Sequence, residues 1–304
     1  MSRLRDALEG SAEFIFTAEF PTIDGGGMAQ VERHAELLSR WFTAVNATDN
    51  TSAHAHASNV AVAIAMKLHG LEPIMQIVCR DKNRLAIEAD MAGANLHGIE
   101  NISLLTGDDV SAGDEPESRR VFDLDGPQAI SVAAILNGGR YLSGRKFDPP
   151  ANFYIGAVEN PFAPPYDYRI ERTLKKYRAG ARYLQLQIGY HPELLKRFCA
   201  GVSSTVPGVH LIPSVVLLKG AKSLRFMAEK VPGISVPAEV IEQVEKSKNQ
   251  SEAAYQLALH QCQQAMSIPG VRGLHITDFR HDDALERLMS DLAQVPNHHR
   301  AASK

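Results

Sequence analysis

The chain has 304 residues, 44% of them hydrophobic and 22% charged, with a formal net charge of −3. A chain this long buries about three quarters of its unfolded surface and needs no disulfide or metal staple, and its near-neutral balance argues against a nucleic-acid binder, which would show a basic excess or stripe. Cys79, Cys199 and Cys262 lie far apart with no CxxC pair, a pattern of a reducing compartment rather than of a zinc or disulfide framework.

The first residues are charged and then briefly apolar, without a signal-peptide core. No apolar run reaches the ~20 residues of a spanning helix, so a cytoplasmic protein with no membrane partner is expected. From there short β-branched runs alternate with helical periods. Strands are expected at 14–20 (FIFTAEF), 42–46 (FTAVN), 73–78 (PIMQIV), 102–105 (ISLL), 153–158 (FYIGAV), 183–187 (YLQLQ), 210–216 (HLIPSVV) and 273–277 (GLHIT). Helices are expected between them at 28–39, 59–69, 83–94, 166–179, 192–201, 221–230 and 283–293. Gly70, Gly98 and Gly180 fall where a helix must stop before the next strand. Eight such units fit a single-domain (β/α)8 TIM barrel over 1–295, with a disordered polar tail at 296–304. A doubly wound open sheet is the alternative, but it calls for a glycine-rich first turn, and Gly25-Gly26-Gly27 lacks the GxGxxG spacing. Two stretches exceed a minimal barrel: 108–151 after the fourth strand, with a helix at 126–136, and 236–266 between the last two strands, with room for two more helices.

Active sites of barrels lie at the C-terminal strand ends. Those ends carry Glu19, Asn46, Thr106-Gly107-Asp108, Glu159, Gln185 and Gln187, and, after the eighth strand, Asp278 and Arg280. Each has a bland explanation. Glu19 fits a structural ion pair as well as a catalytic carboxylate. Gln187 can satisfy a neighbouring backbone group, Asp108 can be a turn residue, and Arg280 can cap a carbonyl or pair with Asp278. The sequence has no G-x-S-x-G elbow, no P-loop and no lysine inside a strand, which disfavours esterase, NTPase and Schiff-base chemistry. No His, Cys, Asp and Glu set has metal-ligand spacing. The remaining rim suits a polar heterocycle, with amides to read ring edges and carboxylates to pair with N–H groups or move a proton.

Six segments, in order, resemble the methylenetetrahydrofolate reductase family: TAEFP, VNATDN, EPIMQIVCRDKNR, LLTGD, AGARYLQLQ and KSLRFMAEKVPGISVP. The resemblance implies a barrel that binds FAD at the strand ends and interconverts 5,10-methylenetetrahydrofolate and 5-methyltetrahydrofolate, with NADH or NADPH as electron donor. It implies Glu19 as general acid, Asp108 beside flavin and pterin, Gln187 on the pterin edge and Arg280 holding the tetrahydrofolate. For FAD it implies Asn46, Leu105, Thr106, Gly107, Asp108, Phe122, Ala157 and Lys176, the last meeting phosphate. It also implies a homo-oligomer. The chain departs from the family pattern at Asn46 (usually threonine), Thr106 (arginine) and Phe122 (tyrosine). Ala221 stands where an aromatic residue stacks on the nicotinamide, which implies weakened nicotinamide use. Rival readings are a flavin-independent reductase on the same barrel, a non-catalytic folate- or flavin-binding paralogue, and a barrel lyase acting on a small acid.

Overall fold

Eight short apolar segments pair side by side, all parallel, and the last closes on the first. In the computed structural model, which describes residues 2–10, 13–25 and 27–294, the strands are β1 (Ile15–Glu19), β2 (Ala44–Ala47), β3 (Pro73–Val78), β4 (Asn101–Leu105), β5 (Tyr154–Glu159), β6 (Tyr183–Leu186), β7 (His210–Leu217) and β8 (Gly273–Asp278). They form a closed barrel in sequence order. The seam pairs Ile15 with Gly273 and Thr17 with His275. The (β/α)8 expectation is met, with strand ends moved by a residue or two. The polar tail expected at 296–304 lies outside the described residues.

The helices begin with α1 (Arg3–Arg5), which runs into a wide turn over Asp6–Gly10, a segment the charged start of the sequence did not suggest. There follow α2 (Met28–Ser39), α3 (Asn59–Leu68), α4 (Arg84–Leu96), α5 (Gly126–Asn137), α6 (Tyr166–Ala179), α7 (Pro192–Thr205), α8 (Ala221–Lys230), α9 (Ala238–Glu245), α10 (Gln250–Met266) and α11 (Ala284–Ala293). Local chemistry sets their ends. Ser58 and Asn83 accept the N–H groups of Ala61 and Ala86 at the starts of α3 and α4. Asp125 and Gln128 close a reciprocal capping box on α5, which satisfies otherwise orphaned N–H groups. Gly180 ends α6 at φ 130°, a conformation that side chains rarely adopt. Among the described residues no helix is long and apolar enough to cross a membrane.

Alternation along each strand divides the interior into two zones. Residues facing the helices, such as Met75, Ile77, Ile102, Leu104, Ile155, Ala157, Leu184 and Leu186, form the main core. Residues facing the barrel axis form an apolar cluster at its lower end. There Ile15, Ala44, Ile74, Tyr154, Tyr183 and Ile212 pack against Leu4 and Leu8 of the N-terminal segment. The serine hydroxyl of Ser2 bonds Asn101 and, at 2.9 Å, Glu72, which fastens this plug to the sheet. Tyr183 stacks on Tyr154 with ring centroids 5.3 Å apart, and Gly156 leaves the space its ring occupies. One layer higher the axis turns polar, with Thr17, Asn46, Gln185 and His275 all buried. Helices α8, α9 and α10 form a second apolar cluster around Leu224, Met227, Ile241 and Ala254.

Candidate active site

Above the polar layer the barrel opens into a cavity of about 340 Å³ at the C-terminal strand ends. β1 brings Glu19 to it, β2 Asn46, β3 Gln76, β6 Gln185 with Gln187 just beyond, β7 Ser214, and β8 His275 and Thr277. The turn after β4 adds Leu105, Thr106, Gly107 and Asp108. On the side opposite Glu19, β5 and α6 add Glu159, Arg169, Arg172 and Lys176.

The turn that carries Asp108 is tightly built. Gly107 has φ 92°, and a Cβ there would lie 2.4 Å from Val78 Cγ1, so only glycine fits without strain and without displacing the Val78 side chain. Arg80, buried at the end of β3, donates to the Asp108 carbonyl (3.3 Å), the Asn50 carbonyl (3.1 Å) and the Asp81 carboxylate (2.6 Å). Asp49 accepts from Val78 N–H (3.0 Å) and Lys82 Nζ (2.7 Å), tying the β2 loop to β3. The Asp108 carboxyl is open to the cavity but surrounded by enough protein to lose hydration, which pushes its pKa up against the pull of Arg80.

Glu159 is the hub of the opposite wall. Lys176 Nζ donates to its Oε2 at 2.6 Å and to the Val158 carbonyl at 2.6 Å. Arg169 and Arg172 stand 3.6 Å from the same carboxylate. Three cations thus face one anion, an excess of two positive charges at the cavity wall. Burial pulls the Lys176 ammonium down from its ordinary value, and the neighbouring carboxylate only partly offsets this. Across the floor, Asn46 and Gln185 exchange two amide hydrogen bonds of 3.0 Å each. Gln185 Nε2 also lies 3.1 Å from His275 Nδ1, and His275 Nε2 lies 4.0 Å from Glu19 Oε2.

The chain matches the family model of methylenetetrahydrofolate reductase over residues 3–293. It belongs to the methylenetetrahydrofolate reductase family. Methylenetetrahydrofolate reductase 2 of Schizosaccharomyces pombe is 22% identical over 260 residues, covering 82% of this chain and 40% of that protein. A probable methylenetetrahydrofolate reductase (NADPH) of Caenorhabditis elegans is 22% identical over 211 residues, covering 68% and 29%. The chain therefore spans less than half the length of either relative. A protein from Clostridium thermocellum that binds two copies of 5-methyl-5,6,7,8-tetrahydrofolic acid shares the fold, with a TM-score of 0.68 at 15% identity over 95% of this chain and 98% of that one.

Of the site residues expected from the family pattern, Glu19, Asn46, Leu105, Thr106, Gly107, Asp108, Lys176 and Gln187 all line the one cavity. Three do not. Ala157 is fully buried on the helix-facing side of β5, and its neighbour Val158 reaches the cavity instead. Phe122 is exposed on the loop before α5 and is absent from the cavity wall. Arg280 turns away from the mouth and is consumed by Asp282 (3.1 Å), the Leu218 carbonyl (3.3 Å) and Ser251 (2.9 Å). For Arg280 the bland reading, capping of carbonyls, describes what the side chain does. Two of the retained residues are also partly committed. Gln187 Oε1 accepts from Ile188 N–H at 2.9 Å, and Lys176 is already paired with Glu159. His275 was missed, and the sign of it was a lone polar residue between apolar neighbours in GLHIT.

Proposed function

We propose that this protein interconverts 5,10-methylenetetrahydrofolate and 5-methyltetrahydrofolate, with FAD as its resident cofactor and NADH or NADPH as electron donor. The observation that carries this reading is the two-sided cavity, with Glu19, Asp108 and Gln187 at its polar end and three cations around Glu159 across from them. The residues present fit FAD. The excess positive charge suits a diphosphate, and Leu105, Val158 and Ile188 offer apolar wall for a flat ring. Bound there, FAD supplies a two-electron carrier for hydride.

The chain's own groups then have distinct tasks. Arg172, with a side chain 38% exposed, is free to turn toward a phosphate, while Arg169 is pinned to the Ala163 carbonyl at 2.8 Å. Gln187 and Asp108 present an amide and a carboxyl to the edge of a pterin. Glu19 gives its proton to the nitrogen that leaves the methylene bridge, so that the bridging carbon becomes an acceptor of hydride. Ala221 is buried at the start of α8, in the second apolar cluster. It offers no ring for a nicotinamide to stack on, which supports slow reduction by NADH.

The visible spectrum of the purified protein, titrated with 5-methyltetrahydrofolate, tests this reading. Flavin bands that shift on addition support it. A Glu19→Gln variant is expected to keep the spectral shift and lose turnover. The flavin-independent reading is favoured by the commitment of Asn46 to Gln185 and by a cavity near the small end of the usual ~300–1,000 Å³ for ligand sites. Colourless protein that still turns over would select it.

A further inference from the structure

The polar layer beneath Glu19 has a direction. Gln185 bonds Asn46 through both ends of its amide, and it is the Nε2 end, with its second N–H, that faces His275 Nδ1 at 3.1 Å. An amide nitrogen only donates, so Nδ1 must accept, and the neutral imidazole carries its proton on Nε2. Thr17 Oγ1–H, 3.0 Å from the same Nδ1, is a second donor to it, closer than the Leu274 carbonyl at 3.5 Å. His275 Nε2 is the nitrogen that faces Glu19, at 4.0 Å from Oε2. The imidazole is only 5% exposed, so its orientation is set by these neighbours. Those neighbours are Thr17 and Glu19 on β1, Gln185 on β6 with Asn46 of β2 behind it, and Ser214 of β7 alongside. Glu19 is the one ionisable group among them.

We propose that His275 is a positioning residue that acts through Glu19. The tie from Asn46 through Gln185 fixes the imidazole with its Nε2–H on the Glu19 side, 4.0 Å from Oε2, a gap that closes to a hydrogen bond when the carboxylate forms. This leaves the other oxygen to serve the substrate and stabilises the carboxylate once its proton has gone. The proposal rests on the folate chemistry inferred above. In that step the Glu19 O–H bond breaks, an N–H bond forms on the leaving nitrogen, and the C–N electron pair stays with that nitrogen. The negative charge left on Glu19 is what His275 Nε2–H meets. A hydrogen bond to a charged group typically contributes about tenfold to a hundredfold.

Two substitutions separate this role from simple filling of the layer. Asparagine places its amide near Nδ1, within reach of Gln185, but leaves nothing at Nε2. Glutamine extends a donor to the Nε2 position. His275→Asn should lower kcat about tenfold to a hundredfold with little change in the KM for the folate, and His275→Gln should recover most of the loss. The reverse order, or equal effects, would overturn the proposal. Gln185→Glu, which leaves His275 in place, should draw the imidazole proton to Nδ1 and also lower kcat. Nitrogen-15 NMR of the imidazole reads the tautomer directly: an Nε2–H form in the parent protein is expected, and an Nδ1–H form would refute the idea whatever the kinetics. If the parent protein binds and converts no folate, both the functional reading and this inference fall. If it turns over normally and His275→Asn matches it, the inference alone falls.

Discussion

Replacing Glu159 by glutamine removes the one anion among three cations and keeps the side chain's shape. Lys176 then loses its nearest counter-charge and keeps only neutral acceptors, the Val158 carbonyl and the new amide oxygen, while its side chain stays 5% exposed. Breaking a buried pair from one side costs about 3–5 kcal/mol. Lys176→Met is the milder cut, because Glu159 keeps Arg169 and Arg172 at 3.6 Å and the Asn160 N–H at 3.0 Å; a cost of about 1–2 kcal/mol is expected. At about 2 °C per kcal/mol for a chain of this size, thermal denaturation should fall by about 6–10 °C for Glu159→Gln and about 2–4 °C for Lys176→Met. The pH dependence has a definite sign. The Lys176 pKa is already lowered by burial and falls further without Glu159, so the unfolded chain holds that proton more tightly. The deficit of Glu159→Gln should therefore shrink as pH rises toward the ordinary lysine value. Inorganic pyrophosphate should protect Glu159→Gln from heat more than it protects the parent protein, and Lys176→Met less. A Glu159→Gln melt equal to that of the parent, or a larger loss in Lys176→Met, would refute the charge accounting.

Three further outcomes follow from the geometry. A Cβ at Gly156 would stand 2.1–2.6 Å from the Tyr183 ring, so Gly156→Ala should cost at least about 1–3 kcal/mol in chemical denaturation, and a second change, Tyr183→Leu, should restore part of it. Burial and Arg272 hold His210 neutral, with its pKa lowered from 6.5 to about 4; stability should fall by about 1–2 kcal/mol as pH drops through that window, allowing for partial exposure, and His210→Gln should flatten the profile. The thiols of Cys79 and Cys199 are pushed up to about 12 by burial, and that of Cys262 higher still; Ellman's reagent should find essentially no free thiol in the folded protein and three after guanidinium.

The strands and most helix ends were legible because alternation, caps and stop glycines are local features. The N-terminal plug was not, since two short turns leave no period to read, and Leu4 and Leu8 gain meaning only when the barrel floor exists to receive them. At the site, eight of the expected residues share one cavity because strand ends of a closed barrel converge whatever the loops do. Ala157 shows how narrow the margin is: in a strand one position changes the face, and Val158 is the residue that reaches inward. Arg280 follows the end of its strand, where parity no longer steers a side chain, and Ser251 on α10, far away in sequence, captures it. The Asn46–Gln185 tie joins β2 and β6 across the axis, a pairing that depends on closure of the sheet and leaves no trace in either segment.

Because Leu4 and Leu8 stopper the lower end of the barrel, the described residues leave the vessel one doorway, at its upper rim. Among the described residues, a solute that reaches Glu19 leaves by the route it entered. Two bulky molecules bound for the same depth cannot queue from opposite ends; they have to take turns, and the departure of the first becomes a condition for the arrival of the second.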